Sequence, residues 1–159
     1  MHKMFTVALS LVAVAAVGLA QEAKAPHVAL TPADVKWGPP PPSLRKGAQL
    51  AVVSGDPTKT GPFVIRLKLP AGYKIAPHWH PTDEHVTVLA GTMALGMGEK
   101  FNQGAMKVLP AGSYGALPAE MRHFAMAKTA ATIQVHGMGP FVVNYVNPAD
   151  DPSKATAAK

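Results

Sequence analysis

At 159 residues with 48% hydrophobic content, the chain is one domain's worth of sequence and carries enough apolar material to bury a real core. It contains no cysteine, which excludes disulfides and thiolate ligands and restricts any metal site to His, carboxylate, carbonyl and water. The formal charge of +6 arises from scattered basic residues, among them Lys46, Lys59, Lys68, Lys74, Lys100, Lys107 and Lys128. They form no patch or stripe of the kind that tracks phosphates, which argues against nucleic acid as a partner.

Residues 1–20 open on a basic Lys3, continue in an apolar run from Phe5 to Ala20, and place small residues at Gly18 and Ala20. This is the pattern of a secretory signal peptide, with cleavage expected after Ala20. A retained anchor is the alternative, but about 16 apolar residues fall short of the roughly 20 that a span needs. The processed chain is therefore expected to be periplasmic or secreted, with no stable membrane anchor. Residues 21–47 form a Pro-rich arm in which Trp37 precedes GPPPPSL. Four consecutive prolines impose an extended polyproline II course without ladder hydrogen bonds, so the arm should drape along the domain with Trp37 as its anchor rather than serve as a ligand for an aromatic groove.

Residues 48–146 read as short β-rich runs broken by Gly and Pro: AQLAVVSG, PFVIRLKLPAG, the stretch from Gly72 to Gly91, TMALGMG, MKVLPAGSYGALPA, HFAMAK, ATIQVHG and PFVVNYV. Breaks every 8 to 12 residues or so are an all-β signature. In FVIRLKL the alternation puts Phe63, Ile65, Leu67 and Leu69 on one face, so that face meets the core. No long helix and no internal repeat is present. The tail, residues 147–159, is polar with Ala and Pro and is expected to be disordered.

The stretch GYKIAPHWHPTDEHVTVLAG, Gly72 to Gly91, sets His78, His80 and Glu84 between two glycines. The three share strand parity, and Pro81-Thr82-Asp83 reads as a tight bend. The next strand, roughly His85 to Leu89, should fold back beside the first, so that the donors converge from two adjacent strands. Imidazoles with one carboxylate suit a single divalent transition metal ion (Fe, Mn, Ni, Co or Zn), whereas Ca or Mg prefers oxygen. Given the composition, this spacing arises by chance on the order of once in ten thousand such chains. His85 faces away from the metal by parity, and it replaces Glu84 as ligand only if the spacing is read one residue longer. His136 shares parity with Gln134 and is read either as pointing into the barrel beside the metal or as a satisfied core or rim histidine. His27 has no supporting neighbours. Tyr73, Trp79, Met93, Met97, Phe124 and Met126 read as wall and core.

The spacing resembles the first sequence motif of the cupin superfamily, with Gly72, His78, His80, Glu84 and Gly91 in every fixed position. The second motif, G-x5-P-x-G-x2-H-x3-N, is met in part by Gly112, Pro118 and His123, with Glu120 where its second glycine is usual and Ala127 where its asparagine is usual. The resemblance, to a single-domain exported bacterial type, implies an all-β double-stranded β-helix or jelly-roll barrel. It also implies metal ligands at His78, His80, Glu84 and His123. One pair of motifs means one barrel, for which a homodimer is a compatible assembly.

Four protein ligands on a six-coordinate metal leave two positions open, the mark of a catalytic rather than a structural site. The leading expectation is a small-molecule metalloenzyme of oxygenase, decarboxylase or isomerase type, dioxygenase-like, in which Glu84 doubles as ligand and catalytic proton acceptor. The alternative is a non-catalytic metal- or small-ligand-binding module, similar to the cupin-like sensor domains that accompany anti-sigma factors. Export and the lack of a helical regulatory segment argue against a sensor.

Overall fold

A computed structural model describes residues 27–155 of the chain. The expected signal peptide, residues 1–20, lies outside the described residues. Ten strands follow in order: β1 (Gln49–Ser54), β2 (Gly61–Leu69), β3 (Lys74–Trp79), β4 (Glu84–Ala90), β5 (Thr92–Met97), β6 (Lys107–Pro110), β7 (Tyr114–Leu117), β8 (His123–Ala127), β9 (Ala131–Gly139) and β10 (Asn144–Tyr145). They form two five-stranded antiparallel sheets, ordered β1-β2-β9-β4-β7 and β10-β3-β8-β5-β6. The fold is an all-β jelly-roll barrel, as the strand spacing and motifs imply.

One buried cluster joins the sheets. Phe63, Ile65, Leu67 and Leu69 of β2 and Ile133 and Val135 of β9 contribute from the first, while Ile75, Met93 and Ala127 contribute from the second. The alternation in β2 holds: its four apolar positions are buried, whereas Lys68 is exposed. Lys68 spends its charge on the arm, its ammonium lying 4.2 Å from the Trp37 ring centroid. The arm is pinned at three further points. Gly38 and Leu50 exchange backbone hydrogen bonds of 2.8 and 3.0 Å, and the Tyr73 and Tyr145 hydroxyls donate to the carbonyls of Arg45 and Ser43. Burial first, then the neighbouring Tyr73 and Asp151, pushes the Tyr145 phenol up to about 12, so it stays a donor.

Three local readings are corrected. Strand β4 does not lie beside β3: Pro81–Asp83 carries the chain across to the facing sheet, where β4 pairs with β7 and β9. In PFVVNYV only Asn144–Tyr145 pairs as strand, against Trp79 and His78. Of the tail read as disordered, residues 147–159, the described part forms a 3-10 turn over Pro148–Asp150, capped by the Asn147 side chain, and a single helical turn over Pro152–Ala155, while residues 156–159 lie outside the described residues.

The two glycines of the first motif occupy left-handed backbone conformations for different reasons. Gly72 (φ +78°) faces open space, whereas a Cβ on Gly91 (φ +74°) would run into the Ala130 carbonyl oxygen. Gly91→Ala should therefore lower the unfolding free energy by roughly 3 kcal/mol and Gly72→Ala by about 1 kcal/mol. Urea midpoints of the two variants check this ranking.

Candidate metal centre

Each site histidine is placed by a local irregularity. Pro77 has no N–H to give to a ladder, and the β3–β8 register gains one residue between Ile75↔Ala125 and His78↔His123. This bulge breaks strand parity, so Ile75 and His78, three residues apart, both border the barrel interior. His78 then sits directly across from His123 on β8, with ring centroids 4.2 Å apart. His80 follows the last residue of β3, and Glu84 begins β4 in the facing sheet. The turn before His123 is tied to the turn before Glu84: Glu120 N–H donates to the His80 carbonyl (2.8 Å) and Ala119 N–H to Asp83 Oδ1 (2.8 Å). Glu120 adopts φ +63°, the conformation its usual glycine would supply. The turn is kept without the glycine.

All four side chains are buried. His78, His80 and His123 each direct Nδ1 at a backbone carbonyl, of Ala76 (2.7 Å), Val142 (2.7 Å) and Met121 (2.9 Å) respectively. A carbonyl oxygen only accepts, so Nδ1 carries the proton in each ring and Nε2 keeps its lone pair. One donor atom from each of the three rings lies within 4.8 Å of the others. Glu84 Oε2 stands 3.2 Å from His123 Nε2 and 3.5 Å from His80 Nε2. His80 Nε2 is buried with no hydrogen-bond partner.

Three Nε2 atoms and a carboxylate thus converge on one buried place. Burial, reinforced by the nearby His123 and His80, holds His78 down at about 3, so that ring is neutral at ordinary pH. For Glu84 burial works against the charged form, and hydrogen bonds with the His123 and His80 rings outweigh it, leaving the carboxyl well below the usual carboxylate range; those bonds need a proton between ring and carboxylate, the one a bound cation would displace. Imidazole Nε2 atoms around an ionised carboxylate are the donor set a divalent cation takes, displacing protons as it binds. With ligand bonds of about 2.1 Å, adjacent donor atoms lie roughly 3.0–3.4 Å apart; the Glu84 contacts have about that spacing. The residues fit a transition metal ion.

The cluster stands between two chambers. The larger, about 400 Å³, is bordered by His78, His80 and Glu84 and walled by Ile65, Phe141, Val143 and the arm residues Pro39–Pro41. Its lining includes no lysine or arginine. The smaller, about 60 Å³, is bordered by His78, Glu84 and His123 and otherwise by apolar side chains and Gly115.

The other histidines lie elsewhere. His85 projects from the opposite face of β4, takes a 2.6 Å hydrogen bond to the Tyr114 hydroxyl, and stacks on His136 at 4.9 Å and 14°. His136, its partner in the β4–β9 register, is therefore on the outer face of the sheet, which removes the one of its two readings that set it beside the metal. Met97, read as wall or core, is 53% exposed.

The model of the ChrR cupin-like domain family matches residues 25–142, most of the chain. The chain belongs to this cupin family. No curated protein matches this cupin, whereas several solved structures share its fold. A putative acetylacetone dioxygenase from Methylibium petroleiphilum PM1 is 19% identical over 86% of this chain and 97% of its own, with a TM-score of 0.63. An acetylacetone dioxygenase from Acinetobacter johnsonii is 16% identical over 87% and 93% respectively, TM-score 0.61. The polyketide cyclase RemF from Streptomyces resistomycificus is 19% identical over 81% and 92%, TM-score 0.61.

Sequence reasoning missed two supports of this cupin's site. The Phe141 ring stacks on His80 at 4.2 Å and 20°, and the next carbonyl, Val142, orients the same imidazole. Both are 61 or more residues from His80 in the chain, and the only signal was an apolar run that read as an ordinary strand. Phe141→Ala should weaken metal affinity about tenfold, the low end for loss of a ligand-orienting contact, measured by competition with a chelator. His80→Ala should abolish stoichiometric metal, while His85→Ala and His136→Ala should retain one ion per chain by elemental analysis.

Proposed function

We propose that this cupin is a mononuclear metalloenzyme in which His78, His80, Glu84 and His123 hold one divalent first-row ion, and that it acts on a small organic molecule seated in the larger chamber. The observation that carries the reading is the convergence of Nε2 lone pairs and an ionised carboxylate at the wall of an apolar chamber. At about 400 Å³ this chamber falls within the ~300–1,000 Å³ typical of small-molecule sites. When bound, the ion supplies Lewis acidity and open positions for an oxygen-bearing ligand.

The chain's own residues do the rest. Ile65, Phe141, Val143 and the proline arm exclude water and favour an apolar body. With no lysine or arginine in the lining, a substrate carboxylate or phosphate has no protein cation to pair with. A neutral, weakly acidic chelator is the best match. Glu84, charged and bordering the chamber, is placed to receive the proton such a molecule sheds. Dioxygenation of a small diketone, the activity named for two of the similar structures, satisfies these constraints better than decarboxylation, which would bring a free carboxylate into the chamber. The basic and apolar pattern of residues 1–20 supports export to the periplasm or beyond. Mass spectrometry of the native protein should then find an N-terminus at or near Gln21.

Oxygen consumption by iron-loaded protein with acetylacetone tests the chemistry directly. Turnover is expected, and Glu84→Gln, which removes a ligand charge as well as the proton acceptor, should lower kcat at least about tenfold when compared at equal iron occupancy. Stoichiometric zinc in protein from its native compartment, with no oxygen uptake on any diketone or catechol, would instead favour the non-catalytic binding module.

A further inference from the structure

The two chambers divide the site unequally. His78 and Glu84 border both, His80 only the larger and His123 only the smaller. Beyond these side chains the smaller chamber is walled by hydrocarbon and backbone, with Ala94, Leu95, Leu117 and Ala125 prominent. Gly115 helps to create it. Its register partner on β4 is Val86, two residues from Glu84 on the same face, and a Cβ there would rest against Leu95 Cδ2 at 3.6 Å. That is ordinary contact, and Gly115 has no left-handed φ to preserve. Neither the backbone nor the space demands a glycine. Its effect is to leave the chamber open.

At about 60 Å³ the chamber is several-fold smaller than its neighbour and has room for only a few water-sized molecules. Away from the ligand side chains the apolar wall gives water few partners, and apolar cavities take up nonpolar guests such as xenon. We propose that the smaller chamber is a binding site for a nonpolar diatomic molecule, dioxygen in this protein, kept apart from the organic molecule in the larger chamber by the wall that His78 and Glu84 form. The naming of dioxygen rests on the metalloenzyme reading; the chamber's affinity for a nonpolar gas does not. A segregated gas site lets both reactants approach one centre without competing for the same space.

Diffraction from crystals of the metal-loaded protein under xenon pressure tests this without turnover. Xenon is expected between Leu95 and Leu117. In Gly115→Val that peak should disappear while metal per chain and binding of a catechol probe in the larger chamber stay unchanged. If Gly115→Val does not fold, Leu109→Phe, at the chamber's half-buried rim, offers a second way to fill it. Xenon found only in the larger chamber, or nowhere, overturns the proposal, as does a full-strength peak in a folded chamber-filling variant. In the active enzyme the same variants should raise the KM for oxygen and leave that for the organic substrate within about twofold; the reverse pattern would overturn the assignment to dioxygen. Xenon binding without any oxygen consumption would retain the gas chamber and remove the oxygenase reading, so the two fail separately.

Discussion

Everything at the centre of this protein follows from three backbone carbonyls that accept hydrogen bonds from imidazole Nδ1. Ala76, Val142 and Met121 fix the tautomer of His78, His80 and His123, so three lone pairs and the Glu84 carboxylate meet in one buried place. Without a cation this arrangement is costly: ring nitrogens and a carboxylate crowd one low-dielectric place, and His80 Nε2 has no hydrogen-bond partner. A barrel that buries such a set without compensation would lose stability for nothing. A metal ion, as proposed, would supply that compensation, and the local irregularities of the fold serve to hold the carbonyls in position.

Those irregularities are of three kinds. A proline bulge in β3 realigns His78, a left-handed Glu120 shapes the turn before His123, and the non-strand segment at Phe141–Val143 closes over His80. Each departs from regular pairing where a regular sheet would point a side chain or carbonyl the wrong way. Bulges and left-handed residues gather at functional sites because pairing there is sacrificed for aim. The proline arm extends the same logic to the chamber. Having no N–H to satisfy, Pro39–Pro41 can wall an apolar space without leaving buried donors unpaired.

The two faces of β4 show how sharply a pleated sheet separates functions. Glu84 and His85 are neighbours in sequence, yet one faces the metal centre and the other stacks between Tyr114 and His136 on the outer surface. The same parity removes His136 from the site, because its register partner is His85 and not Glu84. A histidine count cannot make this distinction. Register can.

The linear sequence by itself determined the all-β class, the four candidate ligands and the inward face of β2, because motif spacing and period-two alternation are local properties that survive without tertiary contacts. It also favoured Glu84 over His85, although the parity count behind that choice ran through a bend that in fact carries β4 to the facing sheet. The tertiary structure decided what depends on contacts distant in sequence. The bend at Pro81–Asp83 could not reveal whether the next strand returns to the same sheet or crosses to the facing one, since both need the same turn residues. Likewise Phe141 and Val142 meet His80 only because β9 and β10 bring them back across the barrel, and the division into two chambers exists only once β4, β7 and β8 enclose Gly115. Those relationships are set by strand order and packing, which no local pattern encodes.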